Sequence, residues 1–334
     1  MAGSETGIKK KELIDSFGRA HSYLRLSITD DCNFSCSYCK PENKTCENKR
    51  GLMLPEEIIQ LAKEFILLGI KKIRFTGGEP LVYPQFEYLI KALKDCGAEL
   101  ALTTNGYLLD RHFSTLQAAG VKKINISLDS LKPDRFKNIT GRNAFERVYA
   151  NLLLAIKLRF DVKVNAVIIR GVNDDELIDF ARLAMKYPIA VRFIEFMPFR
   201  DNNWSFGKTL TQEKILKVLL SEFTLQEEET PVGQTSVYYK VEGAKGKIGM
   251  IGTLSHPFCE NCNRIRIMAD GKIKNCLFGT EEYDLIGPYR QGQDLQTIIH
   301  KALCQKELEH GGQHLMAYQA NSKKDNRNMF AIGG

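Results

Sequence analysis

The sequence predicts an α/β protein built on a parallel sheet, and two observations favour this class. Short apolar runs alternate with amphipathic segments from residue 23 to residue 196. Strands that alternate with helices form a parallel sheet, because each helix must return the chain to the same end of the sheet. The turn after the first strand carries cysteines in place of the glycine-rich turn of doubly wound nucleotide-binding sheets. We therefore expect a partial (β/α)6 barrel of the TIM type, followed by a C-terminal α+β extension.

Six strands and the helices between them make up the predicted core. The strands are expected at residues 23–30, 72–76, 99–103, 123–127, 162–167 and 190–196. The helices are expected at residues 54–68, 84–96, 109–119, 144–158 and 174–185. The first helix begins with Pro55 and ends at Gly69, as the preferences of helix ends predict.

In such barrels, function lies on the loops at the carboxyl ends of the strands. The unusual residues of the core fall in those loops, where they form the groups Cys32–Cys39, Gly77–Pro80, Thr103–Gly106, Ser127–Asp129 and Glu195–Pro198. We therefore expect one functional end of the barrel.

The extension begins with a loop at residues 199–208, in which Trp204 is expected to pack or to contact a lid. A helix is expected at 211–223, a solvated acidic loop at 227–229, and antiparallel strands at 236–241 and 247–251. The hairpin signal Ala269-Asp270-Gly271 joins two further strands, 264–268 and 272–274. The domains are expected as a disordered lead (1–20), a barrel core (21–200), an extension (201–310) and a tail (311–334).

Composition restricts the class of protein. Of the 334 residues, 43% are hydrophobic and 26% charged, and no apolar run is long enough to span a bilayer. The nine cysteines are an odd number, and six of them fall in two groups, which favours a reducing compartment and a cytoplasmic location over secretion. The net charge of +7 allows nucleic acid, an anionic lipid surface or an anionic small ligand. No basic run with interleaved aromatics is present, so we expect neither nucleic acid nor membrane as a partner.

The first cysteine group, Cys32, Cys36 and Cys39, places three thiols in eight residues directly after the first strand. Thiolates are the ligands that iron-sulfur clusters require, and three of them leave one iron open to bind a small molecule. Cys46 could close a four-cysteine zinc site or an ordinary electron-transfer cluster, but zinc sites are usually built from Cys-x2-Cys pairs. The spacing favours a cluster.

The second group is Cys259, Cys262 and Cys276. The predicted hairpin would bring Cys276 back beside Cys262. With His256 the three cysteines would form a plausible Cys3His zinc site, and the spacing alone supports zinc and iron-sulfur about equally.

The pattern Cys-x3-Cys-x-aromatic-Cys, with Tyr38 as the aromatic, resembles the signature of the radical S-adenosylmethionine (radical SAM) enzymes. Gly77-Gly78-Glu79-Pro80 resembles the motif of that superfamily whose glycine backbone receives the amino group of SAM. The later cysteines, the run Asn-Arg-Ile-Arg and the terminal Gly333-Gly334 make the whole chain similar to the GTP 3',8-cyclase family of molybdenum cofactor biosynthesis.

The resemblance implies a role for each matching residue. It implies a 4Fe-4S cluster on Cys32, Cys36 and Cys39, and a second, GTP-binding 4Fe-4S cluster on Cys259, Cys262 and Cys276. It implies SAM contacts from Tyr38, Gly78, Ser127 and Met197. It implies GTP contacts from Arg25, Arg74, Thr103, Lys163, Arg264, Ile265 and Arg266, and it makes Arg264, Arg266, Gly333 and Gly334 catalytic. Arginine forks suit phosphate oxygens, and Arg192 is a further candidate for the same pocket.

The resemblance also implies the chemistry, which is that of a lyase. One electron enters the first cluster, SAM is cleaved, and the 5'-deoxyadenosyl radical takes hydrogen from C3' of the GTP ribose. The carbon radical then adds to C8 of guanine, and reduction of the adduct gives the cyclised nucleotide. The implied partners are GTP, an electron donor of the flavodoxin or ferredoxin type, and a downstream cyclic pyranopterin monophosphate synthase. The sequence leaves the oligomeric state open, with a homodimer as one option.

Two other classes compete with this interpretation. One is a different radical SAM enzyme with an auxiliary cluster, such as a peptide-modifying enzyme, although those commonly carry more carboxyl-terminal cysteines. The other is a zinc-stabilised binding module on a barrel scaffold, which iron and sulfide content would distinguish.

Overall fold

The computed structural model describes residues 12–39, 51–313 and 326–333, and these residues form one mixed sheet of twelve strands with helices packed against it. The core strands are β1 (Tyr23–Ser27), β2 (Lys72–Thr76), β3 (Glu99–Thr104), β4 (Lys123–Ser127), β5 (Asp161–Ile168) and β6 (Ala190–Glu195). The later strands are β7 (Leu225–Glu227), β8 (Val237–Val241), β9 (Lys247–Ile251), β10 (Arg264–Ile267), β11 (Lys272–Lys274) and β12 (Tyr283–Asp284).

Nine α-helices lie in the described ranges. They are α1 (Pro55–Leu67), α2 (Phe86–Ala92), α3 (Phe113–Ala118), α4 (Pro133–Thr140), α5 (Phe145–Lys157), α6 (Leu177–Lys186), α7 (Gln212–Leu220), α8 (Ile286–Arg290) and α9 (Leu295–Cys304). The described part of the chain contains no helix that is both long and apolar enough to cross a membrane.

Strands β1 to β6 lie side by side in chain order, and every neighbouring pair is parallel. The predicted parallel core is therefore confirmed. The extension adds strands at both edges of this core, since β10 pairs in parallel with β1 and β9 pairs in parallel with β6. Antiparallel strands then continue outward, β11 and β12 from β10, and β8 and β7 from β9. The extension thus shares one sheet with the core.

The two faces of the core sheet differ in polarity. Successive side chains of a strand point to opposite faces, and one face of the sheet is apolar and packs against the helices. Phe75 of β2, for example, meets Phe86 of α2 edge to face, with ring centroids 6.2 Å apart. Parallel sheets usually bury apolar side chains on both faces. Here the other face carries Arg25, Arg74, Asn125, Lys163, Asn165 and Arg192, which marks it as the face of a ligand site.

Helix α4 was not predicted. Its sequence, Pro-Asp-Arg-Phe-Lys-Asn-Ile-Thr, buries only Phe136, Ile139 and Thr140, so the apolar period is too short to be read from the sequence. Gly141 ends the helix in the left-handed conformation, with φ of 70°. The predicted helix at 109–119 divides at His112 into a 3-10 turn and α3. The segment predicted as a solvated acidic loop instead contributes its first residue, Glu227, to the edge strand β7.

The disorder predicted for the lead, residues 1–20, is wrong for residues 12–20. Leu13 is 1% exposed and belongs to the main hydrophobic core. Arg19 is also buried, and its guanidinium donates to the carbonyl oxygens of Cys259 and Leu308 at 2.9 and 2.7 Å. The lead therefore ties the start of the sheet to the second cysteine group.

Candidate active site

The first cysteine group lies in the loop that follows β1, at the carboxyl end of the sheet, as predicted. Cys32, Cys36 and Cys39 are all partly buried. Burial, the carboxylate of Asp129 and then the other two thiols raise the pKa of Cys36 well above its ordinary value. The charge of a thiolate at Cys36 is thus opposed by those of the other two thiols, while no three metal-binding side chains of the described residues are placed to hold a single metal ion. Bound iron would relieve that repulsion, so this set of donors fits a metal cluster.

Helix α4 holds this loop in place. The backbone N–H groups of Ser35 and Ser37 donate to the carbonyls of Thr140 and Ile139, at 3.0 and 2.9 Å. The last carbonyls of a helix have no partner within the helix and need one outside it. The helix that the sequence did not reveal therefore positions the cysteines.

The Gly-Gly turn packs tightly against the same loop. A Cβ atom on Gly78 would lie 2.3 Å from the carbonyl oxygen of Asp31, and one on Gly77 would lie 2.5 Å from that of Thr29. We expected these glycines to admit a ligand, but the close approach that the structure contains is to the chain's own backbone. Only glycine permits this contact.

The next residue, Glu79, secures the turn to β3. Its carboxylate accepts from the Thr104 hydroxyl at 2.7 Å and from the Asn105 backbone N–H at 2.6 Å. Burial raises the pKa of Glu79 to about 7, although these hydrogen bonds oppose the change. Asn105 also donates to Asn33 inside the cysteine loop, at 2.7 Å. Neither Glu79 nor Asn105 was given a role from the sequence, although both lie in loop groups that the sequence singled out, Gly77–Pro80 and Thr103–Gly106.

Tyr38 connects the cysteine loop to β4 and β5. Its hydroxyl donates to Oδ2 of Asp129 at 2.8 Å, and Oδ1 of Asp129 accepts from the backbone N–H of Val167 at 2.8 Å. Burial raises the pKa of Asp129 to about 6. Ser127, two residues earlier, ends β4 at the same end of the sheet. The structure therefore places Tyr38 and Ser127 in one region. Asp129 links them, and although the sequence singled out the group Ser127–Asp129, it gave Asp129 no role.

The second cysteine group also comes together. Cys259, Cys262 and Cys276 line one cavity with Phe258, Arg264 and Arg266. The prediction that the hairpin returns Cys276 to Cys262 is confirmed. His256 is exposed and is not among the residues that line this cavity, so the structure does not supply the Cys3His zinc site.

A buried lysine accompanies this group. The ammonium of Lys306 donates to Sγ of Cys262 at 3.4 Å and to the carbonyl of Arg264 at 3.1 Å. Burial alone would raise the pKa of Cys262, but the charges of Arg264 and Lys306 outweigh it and lower the pKa to about 7. A thiolate is therefore favoured at this position. No sequence pattern indicated Lys306, which lies 44 residues from its partner.

One apolar cluster borders both cysteine groups. It contains Phe196, Met197, Phe199, Trp204 and Ile332, and both Tyr38 and Cys276 pack against it. Trp204 is 4% exposed and its indole donates to the Phe196 carbonyl at 2.8 Å, so it packs as expected. Residues of both cysteine groups therefore border one apolar cluster, and we call the region around this cluster the chamber.

Arginines line the sheet beside this chamber. Arg266 of β10, Arg25 of β1 and Arg74 of β2 are direct neighbours in register across three adjacent strands, so their side chains share one face. Arg264 lies on the same face, two residues before Arg266, and its Nε and Nη2 have no hydrogen-bond partner among the described residues. Ile265 points to the opposite face and is fully buried in the main core. A GTP contact from the Ile265 side chain is therefore not supported.

Three buried arginines donate hydrogen bonds to neutral groups and not to carboxylates. Arg74, Arg192 and Arg266 are 4%, 8% and 8% exposed, and none forms a salt bridge within the described ranges. Arg74 donates to the Tyr23 hydroxyl and the Leu102 carbonyl, and Arg192 donates to Oδ1 of Asn165 at 2.8 Å. Burial, then the neighbouring arginines, lowers the pKa of Arg25 and Arg266, that of Arg266 to about 10. Buried charges of one sign are stabilised when an anion lies beside them.

Tyr23 lies beside these positive charges, and we expect its phenol to ionise near neutral pH. Burial would raise its pKa, but the charges of Arg74, Arg25 and Lys72 outweigh burial and lower the pKa to about 7. Because the folded value lies below the unfolded value of about 10, the resulting stabilisation is complete above pH 10 and is lost as pH falls through about 7. Phenolate absorbance in the ligand-free chain should rise near pH 7, and Tyr23→Phe should remove that step. Tyr239→Phe, whose pKa burial raises, should leave it.

The remaining predicted contacts lie further along the same face. Lys163 of β5 donates to the Tyr238 hydroxyl at 3.2 Å. Thr103 of β3 is paired in register with Asn125 of β4, and its hydroxyl has no hydrogen-bond partner in the described part of the chain. Polar groups thus continue across the sheet.

The chain's carboxyl-terminal segment enters this site. The carbonyl of Gly333 accepts from Nη2 of Arg25 at 3.2 Å and from Nη1 of Arg266 at 3.0 Å. Gly333 has φ of 77°, and a Cβ atom there would lie 2.6 Å from the Thr76 hydroxyl. Only glycine fits both constraints. Gly334, also predicted as catalytic, lies outside the described residues.

Two family models match this chain. The model of the Radical SAM superfamily matches residues 26–184, and the model Molybdenum Cofactor Synthesis C matches residues 189–312. Among solved structures, SuiB of Streptococcus suis bound to S-adenosylmethionine has a TM-score of 0.59 to this chain at 14% identity, covering 94% of this chain and 78% of its own. The fold, the cysteine loop and these matches define a radical SAM protein.

Relatives of similar sequence identify the family. GTP 3',8-cyclase of Peptoclostridium acidaminophilum is 40% identical over 97% of this chain and 99% of its own length. Molybdenum cofactor biosynthesis protein 1 of Homo sapiens is 42% identical over 92% of this chain, which spans about half of that longer protein. This chain belongs to the GTP 3',8-cyclase family of molybdenum cofactor biosynthesis, as its motifs predicted.

Proposed function

We propose that this chain converts GTP to (8S)-3',8-cyclo-7,8-dihydroguanosine 5'-triphosphate, the first step of molybdenum cofactor biosynthesis. The observation that carries this proposal is the row formed by Arg266, Arg25 and Arg74 on three adjacent strands, in which Arg74 and Arg266 are buried and form no salt bridge with the described residues. A triphosphate supplies the missing negative charge, and guanidinium forks bind its oxygens bidentately.

The cysteines would hold two 4Fe-4S clusters, the first on Cys32, Cys36 and Cys39 and the second on Cys259, Cys262 and Cys276. When bound, the clusters and SAM supply the one-electron chemistry that generates the radical for hydrogen abstraction at C3'. The second cluster is supported by the shared cavity of its three cysteines and by the cations of Arg264 and Lys306 beside Cys262. Those cations favour thiolate ligands.

The chain's own residues position the reactants and exclude water. Tyr38, Gly78, Ser127 and Met197 would contact SAM, and their places at the carboxyl ends of the strands support this assignment. Arg25, Arg74, Lys163 and Arg192 would bind the triphosphate, while Arg264 and Arg266 would lie nearer the second cluster. The apolar cluster around Phe196 and Ile332 keeps the chamber dry, which protects a reactive radical from side reactions.

The sheet would close into a partial (β/α)6 barrel. The charge of Arg74 on β2 lowers the pKa of Arg192 on β6, although four strand-to-strand steps separate these two strands. In a flat sheet those steps would span roughly 19 Å, at about 4.8 Å each. An interaction across the sheet supports a curved one. The division into core (21–200), extension (201–310) and tail (311–334) belongs to the same proposal.

Other partners complete the proposal. A flavodoxin or ferredoxin would supply electrons, and a cyclic pyranopterin monophosphate synthase would consume the product. A cytoplasmic location suits oxygen-sensitive clusters, although the relative from Arabidopsis thaliana is named as mitochondrial. A homodimer is part of the proposal without a defined interface.

The proposal is tested with GTP deuterated at C3'. Anaerobic protein reconstituted with iron and sulfide receives SAM, a reductant and the labelled GTP, and the 5'-deoxyadenosine is weighed by mass spectrometry. We expect deoxyadenosine that carries a single deuterium, together with the cyclised nucleotide. Unlabelled deoxyadenosine would move the abstraction to another position or substrate. Protein with verified clusters that forms no deoxyadenosine would overturn the proposal.

A further inference from the structure

An ion-pair cluster fastens the carboxyl-terminal segment, residues 326–333, to the hairpin region of the extension. Nε and Nη2 of Arg327 donate to the two carboxylate oxygens of Glu282, at 2.7 and 2.6 Å. Nη2 also donates to Oδ2 of Asp270 at 2.6 Å. Asp270 lies in the turn between β10 and β11, and Glu282 directly precedes β12. Arg327 is thus held on both antiparallel strand connections.

The cluster is shielded from solvent. The side chains of Arg327, Glu282 and Asp270 are 21%, 18% and 26% exposed. The hydrogen bonds to Glu282 and Asp270 raise the pKa of Arg327 well above its ordinary value, despite the opposing effect of burial. Bidentate, half-buried pairs are the strong class of ion pair, whereas exposed pairs contribute little.

The same segment carries the residue that enters the site. Next to Arg327, the amide of Asn326 donates to the Leu277 carbonyl at 3.2 Å. A 3-10 turn, Met329–Ala331, follows, and Ile332 then packs in the apolar cluster between the two cysteine groups. Six residues after Arg327, the Gly333 carbonyl accepts from Arg25 and Arg266.

A carbonyl at this point has a specific effect on the arginines. Arg25 and Arg266 are in register on adjacent strands, so their guanidinium groups repel each other. The Gly333 oxygen accepts from both, which fixes their positions relative to the chamber. The Gly333 oxygen keeps this position only if the segment that carries it is itself held in place, and the ion pairs of Arg327 provide such a restraint.

We propose that Arg327 is a positioning residue of the cyclase, whose ion pairs with Glu282 and Asp270 seat the carboxyl-terminal segment and thereby align Arg25 and Arg266 on the substrate. This inference rests on the proposed function for its catalytic consequence. The seating of the segment itself is independent of GTP and of both clusters.

The experiment compares Arg327→Ala, Glu282→Ala and the double variant with Arg290→Ala as a matched control. Arg290 forms a similar bidentate pair with Glu57, far from the tail in sequence, at 2.7 and 3.0 Å. Hydrogen exchange of the 326–333 peptide is measured in cluster-free protein, and kcat, iron and sulfide are measured in reconstituted protein. A variant that lacks Gly333 and Gly334 gives the kcat that remains without the Gly333 carbonyl.

We expect faster exchange of this peptide in both single variants, by about ten-fold or more, since local opening then lacks its main restraint. We expect kcat to fall about 100-fold with iron and sulfide unchanged, because a displacement of about 1 Å has effects of that size. The kcat of the double variant should be no lower than that of Arg327→Ala, because both substitutions remove the same interaction. Arg327→Lys should restore part of kcat, and Arg290→Ala should alter neither readout.

Two results would overturn the inference. One is unchanged exchange of the peptide in Arg327→Ala. The other is faster exchange with normal kcat, which would show that the ion pairs hold the segment but do not position the arginines. Failure of the proposed function is recognised separately, because the wild-type chain would then form no cyclised nucleotide while the exchange data would still report on the seating.

Discussion

Replacement of Cys36 by alanine is expected to abolish formation of the cyclised nucleotide, with activity falling more than about 1,000-fold. Catalysis that depends entirely on one group loses the whole of its acceleration when that group is removed. Cys36 sits in the middle of the loop that α4 holds, and its thiol interacts with those of Cys32 and Cys39. The measurement is deoxyadenosine and product formation under anaerobic conditions, together with iron per chain.

Cys96→Ala is the control for this prediction. Cys96 is also a free, partly buried cysteine, but it lies after α2, away from both groups in sequence. We expect normal iron content and normal turnover for that variant. Retention of both clusters and of turnover in Cys36→Ala would contradict the assignment of the first group.

Replacement of Arg266 by alanine is expected to produce the second large effect. Removal of one partner from a buried, hydrogen-bonded charge pair costs about 2–5 kcal/mol, which is roughly 30-fold to several thousand-fold in affinity. Arg266 is 8% exposed, faces the second cysteine group and also holds the Gly333 carbonyl. GTP affinity by equilibrium dialysis and kcat/KM should therefore both decrease, while iron and sulfide stay at wild-type values.

Arg147→Ala is the matched substitution for this test. Arg147 is an exposed arginine that pairs with Asp110 on the helical side of the core, at 2.9 Å. Exposed pairs of this kind contribute about 1 kcal/mol or less. Equal loss of GTP affinity in Arg147→Ala and Arg266→Ala would mean that the charge of the whole molecule, and not the arginine row, attracts GTP.

The parallel core could be predicted because its signals are local. Each strand is a short apolar or alternating run, and helices such as α1 are bounded by Pro55 and Gly69. The edge pairings could not be predicted in the same way. The pairing of β10 with β1 joins residues 241 positions apart, Tyr23 with Arg264, and depends on tertiary packing that local propensity does not encode.

The residues of the candidate site also divide into those that have a local sequence signal and those that do not. The six cysteines and the alternating Arg264 and Arg266 carry their chemistry in residue type and spacing. Lys306 and Asp129 act through partners distant in the chain, and neither lies in a spacing typical of a ligand. The alternation of side chains along a strand already places Ile265 on the face opposite to Arg264 and Arg266. The family resemblance nevertheless gave all three residues a GTP contact.

The charged face of the core sheet restricts the substitutions that this chain can accept. The charges of Arg25, Arg74, Arg192 and Arg266 repel one another when no anion is bound, and this repulsion opposes the fold that presents them. An apolar residue at any of these positions would favour folding and weaken substrate binding. Substrate binding and fold stability are therefore opposed at the same four positions. Stabilising substitutions have to be sought on the helical side of the sheet.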